Sequence, residues 1–206
     1  MRQEYVEKRK QKIRERRGDF YDWIDSVVWA ILLCVLLFTF ISRVMGVVGT
    51  SMLNTLENGD RLLVSNLFYE PKQGDIIVLR KESFSADPIV KRVIATEGQV
   101  VVMDFERGEV YVNGGRLEED YVNLEYLPMK ALDFQAMVDK KTGGVTVPEG
   151  CVFVMGDNRN GSTDSRNEKI GCVDNRYIMG RALLLVFPGS DADTGTRDFS
   201  RIGLIK

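Results

Sequence analysis

Residues 44–56 read VMGVVGTSMLNTL. Val44 to Val48 is a short β-branched run and reads as the first strand of an outer domain. It follows the only long apolar segment in the chain, Val27 to Ile41 (VVWAILLCVLLFTFI), and delivers Ser51 just beyond it. Ser51 is therefore the candidate nucleophile, held close to a membrane surface. Serine is a weak nucleophile and needs a neighbouring base. The chain contains no histidine, so a Ser-His-Asp triad is impossible.

The apolar segment sets the organisation. Its fifteen residues span about 22 Å as a helix, short of the roughly 30 Å hydrocarbon core of a bilayer. Counting from Trp23 to Val48 supplies enough length, with Trp23 and Trp29 near one interface and Arg43 able to snorkel at the other. The expectation is a basic cytoplasmic arm over 1–22, one transmembrane helix over 23–43 and an extracytoplasmic β-rich domain over 44–206. The chain would then be a single-pass cell-membrane protein with its N-terminus cytoplasmic. A cleavable signal peptide and a buried core helix are rival readings. Ser42-Arg43-Val44-Met45 is not a small-x-small cleavage site, which disfavours the first.

Charge distribution agrees with that orientation. Met1 to Arg17 holds eight basic residues against Glu4, Glu7 and Glu15, a net +5, which leaves -7 for the remainder of a chain whose total is -2. The arm has no apolar face, and the anchor explains it better than a nucleic-acid partner does, so no nucleic-acid role is expected. Of the three cysteines, Cys34 lies in the apolar segment, leaving Cys151 and Cys172 as the only pair that could bond. Without histidine the usual zinc and non-haem iron sites lose their commonest ligand, so no metal and no cofactor are expected.

Beyond the anchor the patterning is nearly all β. Strands are predicted at Arg61–Ser65, Asp75–Leu79, Pro88–Ala95, Val100–Asp104, within Val145–Met155, and at Gly180–Phe187. Glu109–Leu117 (EVYVNGGRL) is a hairpin turned by Asn113-Gly114. Glu118 to Lys141 has weak periodicity, so an insert is placed at about 105–147.

A base for Ser51 must come from another residue type, and lysine is the best substitute for histidine. At its usual pKa only about one lysine in two thousand is neutral at pH 7, so burial must lower it. Lys91 has suitable surroundings, with Pro88-Ile89-Val90 before it and Val93-Ile94-Ala95 after it. The plain structural alternative is an exposed strand lysine beside Arg92. A third element, Gly156-Asp157-Asn158-Arg159-Asn160-Gly161-Ser162-Thr163-Asp164-Ser165-Arg166, could be only a polar turn or an oxygen-rich cation loop. Its two aspartates and two arginines could instead form fixed ion pairs, leaving a hydroxyl to orient a neutral amine.

Together, Ser51-Met52 with Thr55-Leu56, then Gly59-Asp60, Lys91-Arg92-Val93 and the block from Gly156 to Arg166 resemble the ordered motifs of the bacterial type I signal peptidases. The resemblance runs from the anchor to about Pro188 and is closest to the Gram-positive type. It implies a signal-peptidase-like β-barrel or sheet catalytic domain with a small β-hairpin insert. The implied activity is a serine endopeptidase that removes signal peptides from exported precursors, with small residues first and third before the cut. Ser51 would be the nucleophile and Lys91 the general base. Ser162 would orient the Lys91 amine, Asp164 and Arg166 would brace the site, and Asp157 and Arg159 would serve as further scaffold. Val47, Met52, Leu56, Ile89 and Val90 would line the pocket for the small residue. The strands from Val44 and Pro88 would hold substrate as an added strand between them. Gly49 stands where some members place an oxyanion-hole serine, and Asn54 stands where the motif usually has proline.

Penicillin-recognising enzymes also pair Ser with Lys but need S-x-x-K, which is absent here. Self-cleaving repressors carry a DNA-binding domain where this chain has its apolar segment. A membrane-tethered binding or assembly protein with an inactive site is the alternative from another class.

Overall fold

The computed structural model describes residues 21–36, 42–81, 84–85, 87–122, 127–190 and 195–205. Most of the expected basic arm, and residues 37–41 of the expected anchor, lie outside the described residues. The chain divides into two compact units, residues 1–42 and Arg43–Lys206.

In the first unit residues 21–36 form a helix, α1. Trp23, Val28, Trp29, Leu33 and Val35 on it are all exposed. Among the described residues no helix is long and apolar enough to cross a membrane. Strand β1, Ser42–Gly46, begins on the last residue of the first unit and opens the second. It starts two residues before the expected strand and takes Ser42 and Arg43 from the expected anchor, so a continuous helix from Trp23 to Val48 is excluded.

The second unit is mostly β, as expected. Strands β2 (Arg61–Ser65), β3 (Ile76–Leu79), β4 (Ile89–Thr96), β9 (Cys151–Met155), β10 (Val173–Asp174) and β11 (Ile178–Phe187) join β1 in one sheet, with β12 (Gly203–Leu204) added against β11. Its order is β1-β2-β11-β3-β4-β9-β10. That path has two ends, so the described strands form an open sheet rather than a closed barrel. A second sheet has the order β7-β6-β5-β8, from β5 (Val100–Asp104), β6 (Glu109–Val112), β7 (Gly115–Arg116) and β8 (Val145–Thr146). The smaller sheet thus begins at Val100, ahead of the expected insert boundary. The hairpin falls where predicted, with Asn113 and Gly114 both at positive φ. The insert also carries a short helix, α2 (Phe134–Met137).

Both faces of the larger sheet are covered, which is why β3 is apolar at every position. Ile76 and Val78 enter a cluster with Val47, Met52, Leu56, Leu62, Val64, Val90, Ala182 and Leu185. Ile77 and Leu79 enter another with Val93, Val152, Val154, Ile170, Val173 and Ile178. Further along, Ile94, Ala95, Phe153 and Met155 share a third cluster with Val101, Met103 and Val110 of the smaller sheet. The smaller sheet is therefore packed against β4 and β9, the elements that flank the candidate site.

Candidate active site

Lys91 sits in β4, opposite Ile77 of β3, and is 3 % exposed. Its Nζ lies 2.8 Å from Oγ of Ser51 and donates to the Val90 carbonyl at 2.9 Å. Burial pushes the Lys91 amine down to about 8, against opposing attraction from Asp164 and Asp157 and with a further lowering contribution from Arg166. At pH 7 that leaves about one molecule in ten with a neutral amine, some two hundred times the fraction of an ordinary lysine.

Ser51 occupies a turn between β1 and β2. The turn is closed by the Leu53 amide on the Thr50 carbonyl, and by the Thr55 and Leu56 amides on the Met52 carbonyl. Asn54 has φ +83° within it, a conformation asparagine tolerates and proline cannot reach. A proline at position 54 would therefore require a different turn. Gly49, at φ +94°, donates its amide to Oδ1 of Asn58 at 3.0 Å.

The loop after β9 is pinned onto the Ser51 turn. The Asn158 amide donates to the Ser51 carbonyl at 3.0 Å, and Nδ2 of Asn158 to the Thr50 carbonyl at 3.1 Å. A Cβ on Gly156 would stand 2.4 Å from both the Ser51 carbonyl oxygen and Oγ of Ser162. Ser162 is thus beside the Ser51 turn. Its buried Oγ makes no well-formed hydrogen bond, to the Lys91 amine or to another group, although the Asp164 carboxylate next to it is favoured by its presence.

The ion pairs differ from the expected local alternation. Asp164 and Arg166 do pair, through Nε on Oδ1 and Nη2 on Oδ2, each at 2.8 Å and with both side chains wholly buried. Burial would raise the Asp164 carboxyl, but the Arg166 guanidinium and the Gly156 amide outweigh it and hold the carboxyl below its usual range. Asp157, however, pairs with Arg92 rather than Arg159. Nε of Arg92 donates to Oδ1 at 2.9 Å and Nη2 to Oδ2 at 2.7 Å, and Oγ1 of Thr55 also donates to Asp157 at 2.5 Å. Arg159 reaches into the insert and grips both carboxylate oxygens of Glu119. Residues far apart in sequence win because each aspartate must be satisfied where the loop meets the sheet.

Glu119 therefore braces the site without having been singled out in the sequence, and Thr55 and Arg92, noted there only as motif residues, carry bracing contacts that were not anticipated. Tyr121 joins them, its ring 3.8 Å from the Arg92 guanidinium and its hydroxyl donating to Glu119 at 2.9 Å. The interleaved charges of the loop signalled ion pairing but not the partners. Asp60, from the Gly59-Asp60 motif, is buried and paired with Arg201 near the C-terminus. Of the pocket candidates, Val47, Met52, Leu56 and Val90 share one cluster. Ile89 is half-buried and packs in the other cluster with Val93. Cys151 and Cys172 are free thiols, not a disulfide. Among the described residues no group of side chains could hold a metal ion.

A lysine whose amine burial brings down to about 8, in contact with a serine hydroxyl on a β scaffold, is the arrangement a Ser/Lys serine hydrolase needs. The sequence comparisons carry this further. The family model described as "Signal peptidase, peptidase S26" matches residues 20–187. Signal peptidase I of Bacillus licheniformis is 33% identical over 181 residues, covering 86% of this chain and 94% of that one. A probable signal peptidase I-1 of Synechocystis is 38% identical over 177 residues, covering 81% and 82%. The chain belongs to the signal peptidase S26 family. A crystal structure of a signal peptidase I from Enterococcus faecalis is 30% identical, with a TM-score of 0.43 over 55% of this chain and 97% of the other.

Proposed function

We propose that this protein is a signal peptidase I, a serine endopeptidase that removes signal peptides from secretory precursors, with Ser51 as nucleophile and Lys91 as general base. The observation that carries the assignment is the 2.8 Å separation of the Lys91 amine and the Ser51 hydroxyl. The neutral amine takes the hydroxyl proton as Oγ attacks the carbonyl carbon before the scissile bond. Collapse of the tetrahedral intermediate breaks the C–N bond, and the Lys91 ammonium returns the proton to the departing amine of the mature chain. Water, deprotonated by the same lysine, then hydrolyses the acyl-serine.

Substrate placement follows from the strand edges. β9 pairs with β4 only from Arg92 onward, while β3 pairs with Ile89 to Arg92. The edge of β4 at Ile89, Val90 and Lys91 is thus open on one side, and β1 is itself an edge strand. A precursor segment added there as a strand would lay its cleavage point beside Ser51. Val47, Met52, Leu56 and Val90 form the apolar floor for a small side chain before the cut, with Ile89 at its margin. Asp157, Arg159, Ser162, Asp164 and Arg166 hold the loop, and Gly49 shapes the approach to the turn. The Ser51 amide serves the oxyanion.

The helix over 21–36, wholly apolar from Val27 onward, belongs to a single membrane anchor, with the basic N-terminal arm cytoplasmic and the β domain outside. Lys91→Arg keeps the charge but cannot act as a base. Cleavage of a secretory precursor should be lost in Lys91→Arg and in Ser51→Ala, and activity in both would overturn the mechanism. In intact cells external protease should reach the β domain but not the N-terminus, and the reverse pattern would overturn the topology.

A further inference from the structure

We infer that Tyr121 is a positioning residue for the reaction: its ring caps the Arg92–Asp157 ion pair and thereby keeps the neighbouring Lys91 amine able to act as a base. The inference rests on Lys91 being that base.

The insert touches the catalytic loop through a chain of four side chains. The Arg92 guanidinium carbon lies over the Tyr121 ring, 3.8 Å from its centroid, Tyr121 donates to Oε1 of Glu119, and Glu119 holds Arg159. Arg159 in turn donates through Nε to the Gly156 carbonyl at 3.1 Å, and the Arg159 carbonyl accepts from Arg166 at 2.6 Å. Residues of β4 and of the loop after β9 are thus linked through Glu119 and Tyr121, which belong to neither.

The electrostatic consequence falls on Lys91. The charged groups acting on its amine are Asp157 and Asp164, which favour the ammonium, and Arg166, which disfavours it. Asp164 is occupied by Arg166. Asp157 is occupied by Arg92, one residue along the strand from Lys91. Arg159, the other arginine of the loop, is occupied by Glu119. The pull of Asp157 on the Lys91 proton therefore depends on how tightly Arg92 stays on it. Nη1 of Arg92 donates to the Gly74 carbonyl at 2.9 Å, and the guanidinium carbon lies over the Tyr121 ring. A ring in that place attracts the cation and excludes water from the pair. Without it Arg92 loosens, Asp157 is less neutralised, and Lys91 holds its proton to higher pH.

The test is the acid limb of kcat/KM against pH for the full-length enzyme in detergent or vesicles, cleaving a precursor peptide. Tyr121→Leu should move that limb up by about 0.5 to 1 pH unit and lower kcat/KM about 3- to 10-fold at pH 7, chiefly through kcat. Tyr121→Phe, which keeps the ring, should retain the wild-type limb, and Tyr121→Trp should leave it there or lower. A purely structural role would reduce the active fraction without moving the limb. A wild-type limb in Tyr121→Leu, or an equal upward shift in Tyr121→Phe, overturns the inference. Should the leucine variant not fold, the phenylalanine and tryptophan variants decide it, because an upward shift in either contradicts the role of the ring. Inactive Lys91→Arg with an unshifted Tyr121→Leu would sink this inference and leave the base assignment standing. Active Lys91→Arg would sink both.

Discussion

Arg92 and Asp157 form a two-armed ion pair, buried at both ends, one residue from the amine that contacts Ser51. Removing one partner of such a pair leaves an uncompensated charge inside the protein, typically at a cost of about 3–5 kcal/mol. Arg92→Ala should therefore lower the thermal midpoint by about 10 °C. Arg92→Lys, which keeps the charge but has no fork to match the carboxylate, should fall between. Thermal denaturation of the purified variants measures this. An alanine variant as stable as the parent would show that the pair does not hold the loop to the strand.

Gly156 is where the loop after β9 passes against the Ser51 turn. A methyl group there would meet the Ser51 carbonyl oxygen and the Ser162 hydroxyl at 2.4 Å, closer than real side chains come. Gly156→Ala must push the loop away and break the Asn158 amide bond to the Ser51 carbonyl. Displacements of about 1 Å can cost 10²-fold in rate. The variant is expected to lose about that factor in kcat while still folding, as judged by far-ultraviolet circular dichroism. Full activity would mean that the loop does not position Ser51.

Where the chain's own pattern determines local structure, the fold was readable in advance. β2 and β5 fall on their predicted residues, and the hairpin turns at Asn113-Gly114. β10 and β12, two residues each, carry too few side chains for any periodicity. Lys91 and Ser51 stood out as candidates because one lysine lies among apolar neighbours and one serine follows the apolar segment. The ion-pair partners were not readable. Arg92 finds Asp157 and Arg159 finds Glu119 across 65 and 40 positions, a choice made by tertiary packing. The unbonded Ser162 hydroxyl was equally invisible, since type and spacing give no contact distance.

Asn54 offers a test of the turn itself. At φ +83° the backbone suits asparagine or glycine and forbids proline. Restoring the motif proline by Asn54→Pro should destabilise the protein by about 1–3 kcal/mol, because the turn must rebuild. Asn54→Gly should be close to neutral. Urea unfolding of the two variants gives the comparison, and a proline variant at least as stable as the parent would contradict this turn geometry.

Lys91 makes activity and stability depend on pH in linked ways. Its amine titrates near 8 in the folded protein against an ordinary 10.5. Activity requires the neutral form, so kcat/KM should climb with pH and level off above about 8. Between the two values the unfolded chain binds more protons than the folded one, so this residue makes stability rise with pH across that window. Below pH 8 the burial penalty is present in full, about 3 kcal/mol, and by pH 10.5 it has largely gone. Lys91→Met, apolar and of similar reach, should be inactive yet more stable than the parent by about that amount at pH 7. The gap should close as pH rises from 8 to 10.5, and groups common to both proteins cancel in the difference. Paired denaturant titrations at several pH values read it directly, and a gap that stays constant would mean that Lys91 keeps its ordinary affinity for the proton.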